Sequence, residues 1–194
     1  MTSKPSKETI PTLGVVELSS IPKGLLVCDL MLKKAQVRLL RASALGCGKF
    51  LITLTGDEGS LLEAVEEGRA AAGTYLVAWT YLPNIHPQVI RALAGGRPEA
   101  GVLDAVGALE AHSLATLIRA ADVAAKTAVV HLLELTFDLD LGGKGYFTLT
   151  GALSEVEAAL EAAERFILAE GHHVHREIIA RPHEGMDEIV LGKK

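Results

Sequence analysis

Short apolar runs and helix-period stripes alternate along the chain in a fixed order. Leu13 to Leu18 is an apolar run with β-branched residues and predicts a strand. Pro22 follows where a first helical turn tolerates proline. Leu25, Cys28, Leu32 and Ala35 then recur at helical spacing, which predicts a helix with that stripe buried. Val37 to Arg41 and Phe50 to Thr55 predict two strands joined by Ala44-Leu45-Gly46-Cys47-Gly48-Lys49, whose glycines permit a tight backbone path. A second helix is predicted from about Asp57, with Leu61, Val65 and Gly68 inward, and Tyr75 to Leu82 predicts a closing strand.

The same pattern is then written again. Leu13-Gly14-Val15-Val16-Glu17 recurs 93 residues later as Val106-Gly107-Ala108-Leu109-Glu110, and the same offset carries Ser20 to Ser113, Asp29 to Asp122 and Lys33 to Lys126. The helical stripe returns as Ile118, Ala121, Ala125 and Ala128. Past a small insertion the offset is 95, matching Gly48-Lys49 to Gly143-Lys144 and Leu54-Thr55-Gly56 to Leu149-Thr150-Gly151. Ser154-Glu155-Val156-Glu157 has the form of a capping box opening the second copy's last helix, and His173 to Ile179 predicts its closing strand. The turn-rich stretch Gly95-Gly96-Arg97-Pro98 divides the copies. The reading is a flexible tail over residues 1–10 and domains over 11–96 and 97–194. Each domain is an α+β sandwich, an antiparallel sheet with helices on one face.

Composition narrows the function. The chain has 194 residues, a net charge of -5 and 49% hydrophobic residues, which describes a soluble folded protein with length for one or two domains. Aromatics are 4% and the balance is acidic, which argues against a nucleic-acid surface. No apolar run approaches the roughly 18 residues that span a bilayer, and the polar start with Lys4 and Lys7 carries no signal core, so a cytoplasmic protein is expected. Cys28 and Cys47 are too few for a disulfide framework. Cys28 lies on the apolar stripe and reads as a small buried hydrophobe.

The repeated strand Gly-x-x-Glu, the helix ending Asp29-Leu-Met-Leu-Lys33-Lys-Ala35-Gln-Val37, the Gly46-Cys47-Gly48 loop, Leu54-Thr55-Gly56-Asp57 and the terminal Ala180-Arg181-Pro182-His183-Glu184 resemble the bacterial microcompartment shell domain. The resemblance covers about residues 13 to 187. Asn84-Ile85-His86-Pro87, Gly142-Gly143-Lys144-Gly145-Tyr146 and Arg181-Pro182-His183-Glu184 are similar to the tandem-domain shell proteins of propanediol-utilising compartments. That resemblance implies two ferredoxin-like domains in unpermuted order and a homotrimer with the outline of a hexamer. It also implies partnership with other shell proteins and with encapsulated enzymes, and a place in the shell. It puts Lys33, Lys126, His86, Arg181 and His183 at tile edges, and Gly46, Cys47, Gly48, Lys49, Gly142, Gly143 and Lys144 at a central pore.

The resemblance also implies chemistry for Cys47. Three chains around an axis would bring three thiols together, and relatives of the propanediol type hold a [4Fe-4S] cluster through a pore-loop cysteine. The alternative is a bare thiol in the place of the serine that single-domain relatives carry. Two other functions stand beside the shell tile: an electron-transfer protein built around the cluster, and a non-shell ligand-binding trimer. Catalysis is not expected. Glu17 and Glu110 are repeated without a nearby nucleophile and read as structural hydrogen-bond acceptors. His172, His173 and His175 read as strand residues, and Gly142-Gly143-Lys144-Gly145 lacks phosphate-loop spacing.

Overall fold

A computed structural model describes residues 12–96, 98, 103–137 and 141–191. The tail expected over 1–10, Arg97 of the linker, and Asp138, Leu139 and Asp140 of the second loop lie outside the described residues. The first copy runs β1 (Leu13–Leu18), α1 (Ile21–Lys34), β2 (Val37–Ala44), β3 (Phe50–Gly56), α2 (Glu58–Ala72), β4 (Leu76–Leu82) and α3 (Pro87–Leu93). The second runs β5 (Ala105–Ala111), α4 (Leu114–Thr127), β6 (His131–Thr136), β7 (Gly145–Gly151), α5 (Leu153–Ala169), β8 (Val174–Ile179) and α6 (Met186–Leu191).

Each copy folds into a four-stranded antiparallel sheet, in order β2-β3-β1-β4 and β6-β7-β5-β8. Helices α1, α2 and α4 start at side-chain caps. The Ser20 and Ser113 hydroxyls accept the Lys23 and Thr116 N–H groups, and the Asp57 carboxylate accepts that of Ser60. The capping box expected at Ser154 is not used. Helix α5 begins at Leu153 after Ala152, with no side-chain cap, because Gly151 ends β7 directly before it. The Glu155 carboxylate instead accepts the Val129 N–H at 2.7 Å.

One packing contact is repeated with the sizes exchanged. A side chain at Gly24 of α1 would collide with the Phe50 ring of β3. At the matching positions, a side chain at Gly145 of β7 would meet Leu117 of α4 at 2.8 Å. Helix and strand approach closely in both copies, and one partner of each pair has to be glycine.

Strand alternation gives each sheet two distinct faces. In the first sheet Val16, Leu18, Phe50, Ile52 and Leu54 pack on Val27 and Met31 of α1 and on Leu61 and Val65 of α2. Leu13, Val15, Leu51 and Leu82 face the other way and join the core of the second copy with Ile118 and Ala121 of α4. Helix α4 therefore lies between the sheets and is buried on nearly every side. Helix α1 is not. The stripe expected to be buried holds in α4, where Ile118 and Ala121 are 0% exposed, and only in part in α1, where Cys28 is buried but Leu25 is 60% and Leu32 39% exposed. The buried face of α1 is Gly24, Val27, Cys28 and Met31, because only its own sheet and α2 cover it.

Candidate functional site

The joint between the copies is organised by Glu17. Alternation along β1 puts it on the outer face of the first sheet with Leu13 and Val15, where it is fully buried. One carboxylate oxygen accepts the N–H groups of Leu114 (2.8 Å) and Ala115 (3.3 Å), and the Ser113 hydroxyl lies 3.4 Å away. These are the free donors of the α4 N-terminus, where the helix dipole favours an anion. The other oxygen takes the Lys49 ammonium at 2.9 Å. Lys49 also donates to the carbonyls of His112 (2.6 Å) and Gly143 (3.5 Å), so its ammonium spans both copies. Such a buried charge is stable only because every group has a partner.

The loop between β2 and β3 sits beside this joint. Leu45 donates its N–H to Lys49 carbonyl across a single turn, Gly46–Gly48. Cys47 adopts φ 59° and ψ 27°, the left-handed region, and no other non-glycine residue among those described has a positive φ. Its exposed thiol donates to the Gly142 carbonyl at 3.1 Å, which brings the loops of both copies into contact. Thus Gly46, Cys47, Gly48, Gly142 and Gly143 gather at one end of the joint, and the Lys49 ammonium is drawn inside it.

The other end is held by Asp122 of α4. Its buried carboxylate accepts the His86 N–H at 2.6 Å and pairs with Lys126 at 2.6 Å, and Lys126 also donates to the Asn84 carbonyl. Lys126 and His86, expected at tile edges, therefore make contacts inside the chain. Burial pulls His86 below its ordinary pKa, with Lys126 and Arg91 acting in the same sense and Asp122 against them. Its Nδ1 accepts the Gln88 N–H. Gln88 and Arg91 of α3 then satisfy the open edge of β6: the Gln88 amide meets the Val130 carbonyl and the Leu132 N–H, and Arg91 meets the Leu132 carbonyl.

The two ion pairs and the capping histidine of this joint have counterparts that are open. Glu110 and Lys144 pair at 2.7 Å but are 39% and 42% exposed. Asp29 and Lys33 pair at 2.5 Å and are 51% and 71% exposed. His183 is exposed, and its Nδ1 accepts the Gly185 N–H just as His86 accepts that of Gln88. The role of Glu17 was legible in its repetition. Its partnership with Lys49 was not read, although the pair recurs as Glu110 and Lys144 at the two offsets of the repeat.

The remaining candidates are simpler. Cys28 is buried as expected, and burial, then the Asp29 carboxylate, pushes its thiol above the usual range. His173 and His175 are exposed and line a small cavity with Glu110, His112 and Lys144. Among the described residues no group of three or more His, Cys, Asp or Glu side chains is arranged to hold a metal, and no helix is long and apolar enough to cross a membrane.

The BMC domain matches twice, over residues 12–85 and 105–182. The chain is 40% identical to the bacterial microcompartment shell protein PduT of Citrobacter freundii, over 90% of this chain and 94% of that protein. The chain belongs to the BMC-domain family of microcompartment shell proteins. A crystal structure of a microcompartment protein from Desulfitobacterium hafniense superimposes with a TM-score of 0.82 at 36% identity, covering 92% of this chain and 99% of that one. The fused permuted hexameric shell protein MSM0275 shares the fold at a TM-score of 0.62 and 18% identity, covering 82% and 84% of the two chains. In this shell protein the α+β domains stand in tandem and in unpermuted order, as the resemblance implied.

Proposed function

We propose that this shell protein is a structural tile, a head-to-tail trimer of six domains that packs with other shell proteins around encapsulated enzymes and catalyses no reaction. The observation that carries this reading is the duplicated joint. Helix α1 exposes Ile21, Leu25 and Leu32 at the positions where α4 buries Leu114, Ile118 and Ala125, and Glu110 stands where Glu17 caps a helix. A second chain's α1 laid on the outer face of β5 and β8 would repeat the internal joint and cover that apolar stripe. Joints of this head-to-tail kind close into rings or run on as filaments, and the family resemblance gives closure at three chains. Sedimentation velocity is expected to find three times the 20.5 kDa chain mass, and electron microscopy to find sheets or mixed shells. A stable monomer at all concentrations would overturn the reading.

In that ring the loops carrying Cys47, Gly142 and Gly143 would meet at the axis and form a pore. Cys47 suits a ligand role, because it is an exposed thiol on a left-handed turn between two glycines. Three copies would hold three irons of a [4Fe-4S] cluster, which supplies one-electron transfer when bound. The bare thiol, narrowing a metabolite pore, is the competing reading. Protein purified without oxygen should contain iron and sulfide and lose its brown colour on Cys47→Ser. Colourless, iron-free protein would leave the metabolite pore.

A further inference from the structure

The joint within a chain and the joint between chains use matching positions filled by different residues. On the outer face of the first sheet, the strand pairings bring Leu51, Ala78 and Thr80 around β1, and α4 covers them. The corresponding positions around β5 are Tyr146, His175 and Glu177. With Ala108, Leu109 and Glu110 they line an open cavity of about 160 Å³. His175 and Glu177 face each other at 3.5 Å and are 69% and 73% exposed.

The helix that would close this cavity differs as well. Pro22 stands where Ala115 donates its N–H to Glu17, so Glu110 would lose one of its two backbone donors. Lys23 stands where Thr116 is buried, which sets an ammonium near Glu110 in place of a hydroxyl. Opposite His175 and Glu177 the next chain would present Ile21, Leu25 and Leu26, all apolar. The internal joint places a half-buried alanine and a buried threonine there. The external one must dehydrate a carboxylate and an imidazole against hydrocarbon, which opposes association.

Resting on the trimer reading above, we propose that the chain-to-chain joint is the weaker and more ionic of the two, with His175 and Glu177 setting its strength. Each chain's own domain pair then stays locked while trimers assemble and dissociate. The test is sedimentation velocity of the full chain over a concentration series, with and without the first-copy residues His175→Ala and Glu177→Thr. The double variant is expected to lower the trimer dissociation constant at least tenfold, and Glu177→Gln alone to lower it by less. High salt screens the Lys23 and Glu110 charges brought together at the joint and should raise the dissociation constant of both proteins. An unchanged or raised dissociation constant, with circular dichroism of the variants unaltered, overturns this proposal and leaves the tile standing. Absence of trimers from both proteins overturns the tile reading and this proposal together.

Discussion

Helices α1 and α4 occupy the same place in the two copies and have the same length of 14 residues, yet α4 buries ten of them and α1 four. Their sequences do not announce this. Both start at a serine cap, both carry Asp and Lys four residues apart near the end, and both repeat apolar residues at helical spacing. What separates them is what lies across their second face. Helix α4 packs on the first copy's sheet as well as its own, and among the described residues α1 packs on its own sheet and α2. The apolar stripe left bare on α1 is the surface that the proposed trimer would cover with another copy of the same chain.

The strongest way to break the comparison is to charge the same stripe position in each helix. Ile118→Asp should destabilise the chain by more than about 4 kcal/mol, because an unpaired carboxylate would enter the core shared by both copies. Leu25→Asp should shift chemical denaturation of the single chain by under about 0.5 kcal/mol and abolish trimers. Equal unfolding by both would show that α1 is not an open helix.

A smaller effect separates the two glutamates. Glu17→Gln strands the Lys49 ammonium inside the joint and should cost about 3–5 kcal/mol in urea denaturation. Glu110→Gln removes a half-exposed pair and should leave that curve within about 1 kcal/mol, while raising the trimer dissociation constant.

The smallest effect concerns the two histidines that close the copies. His86 is held below its ordinary pKa, so the folded chain binds fewer protons there than the unfolded chain. Its contribution is fully present above about pH 6.5, the ordinary histidine value, and is lost as the pH falls below that. A plot of unfolding free energy against pH from 8 to 5 should therefore slope less for His86→Asn. His183→Asn, at the exposed counterpart, should leave the unfolding free energy of the single chain at pH 8 within about 0.5 kcal/mol.

Much of the fold was legible because the chain states it twice. The strand Leu13–Leu18, the second helix with Leu61, Val65 and Gly68 inward, and the buried Cys28 follow from periodicity alone. The repeat also exposed Glu17 and Glu110 as structural groups. Three features were misplaced or missed. The Ser154 cap failed because local spacing cannot say which turn ends the preceding strand. Leu25 and Leu32 were assigned to a core that only α4 possesses. Lys49 was assigned to the loop, although its long side chain reaches back to a carboxylate in another strand and a carbonyl in the other copy.

By itself the sequence determined two copies of one α+β unit, their order, and the residue types at each repeated position, since these depend on period-two and period-3.6 patterns that a single element satisfies. Only the tertiary structure decided which of two identical patterns is filled. Burial depends on what lies across the face of an element, and for the outer face of α1 the described chain supplies no second sheet, and for Glu110 no helix start.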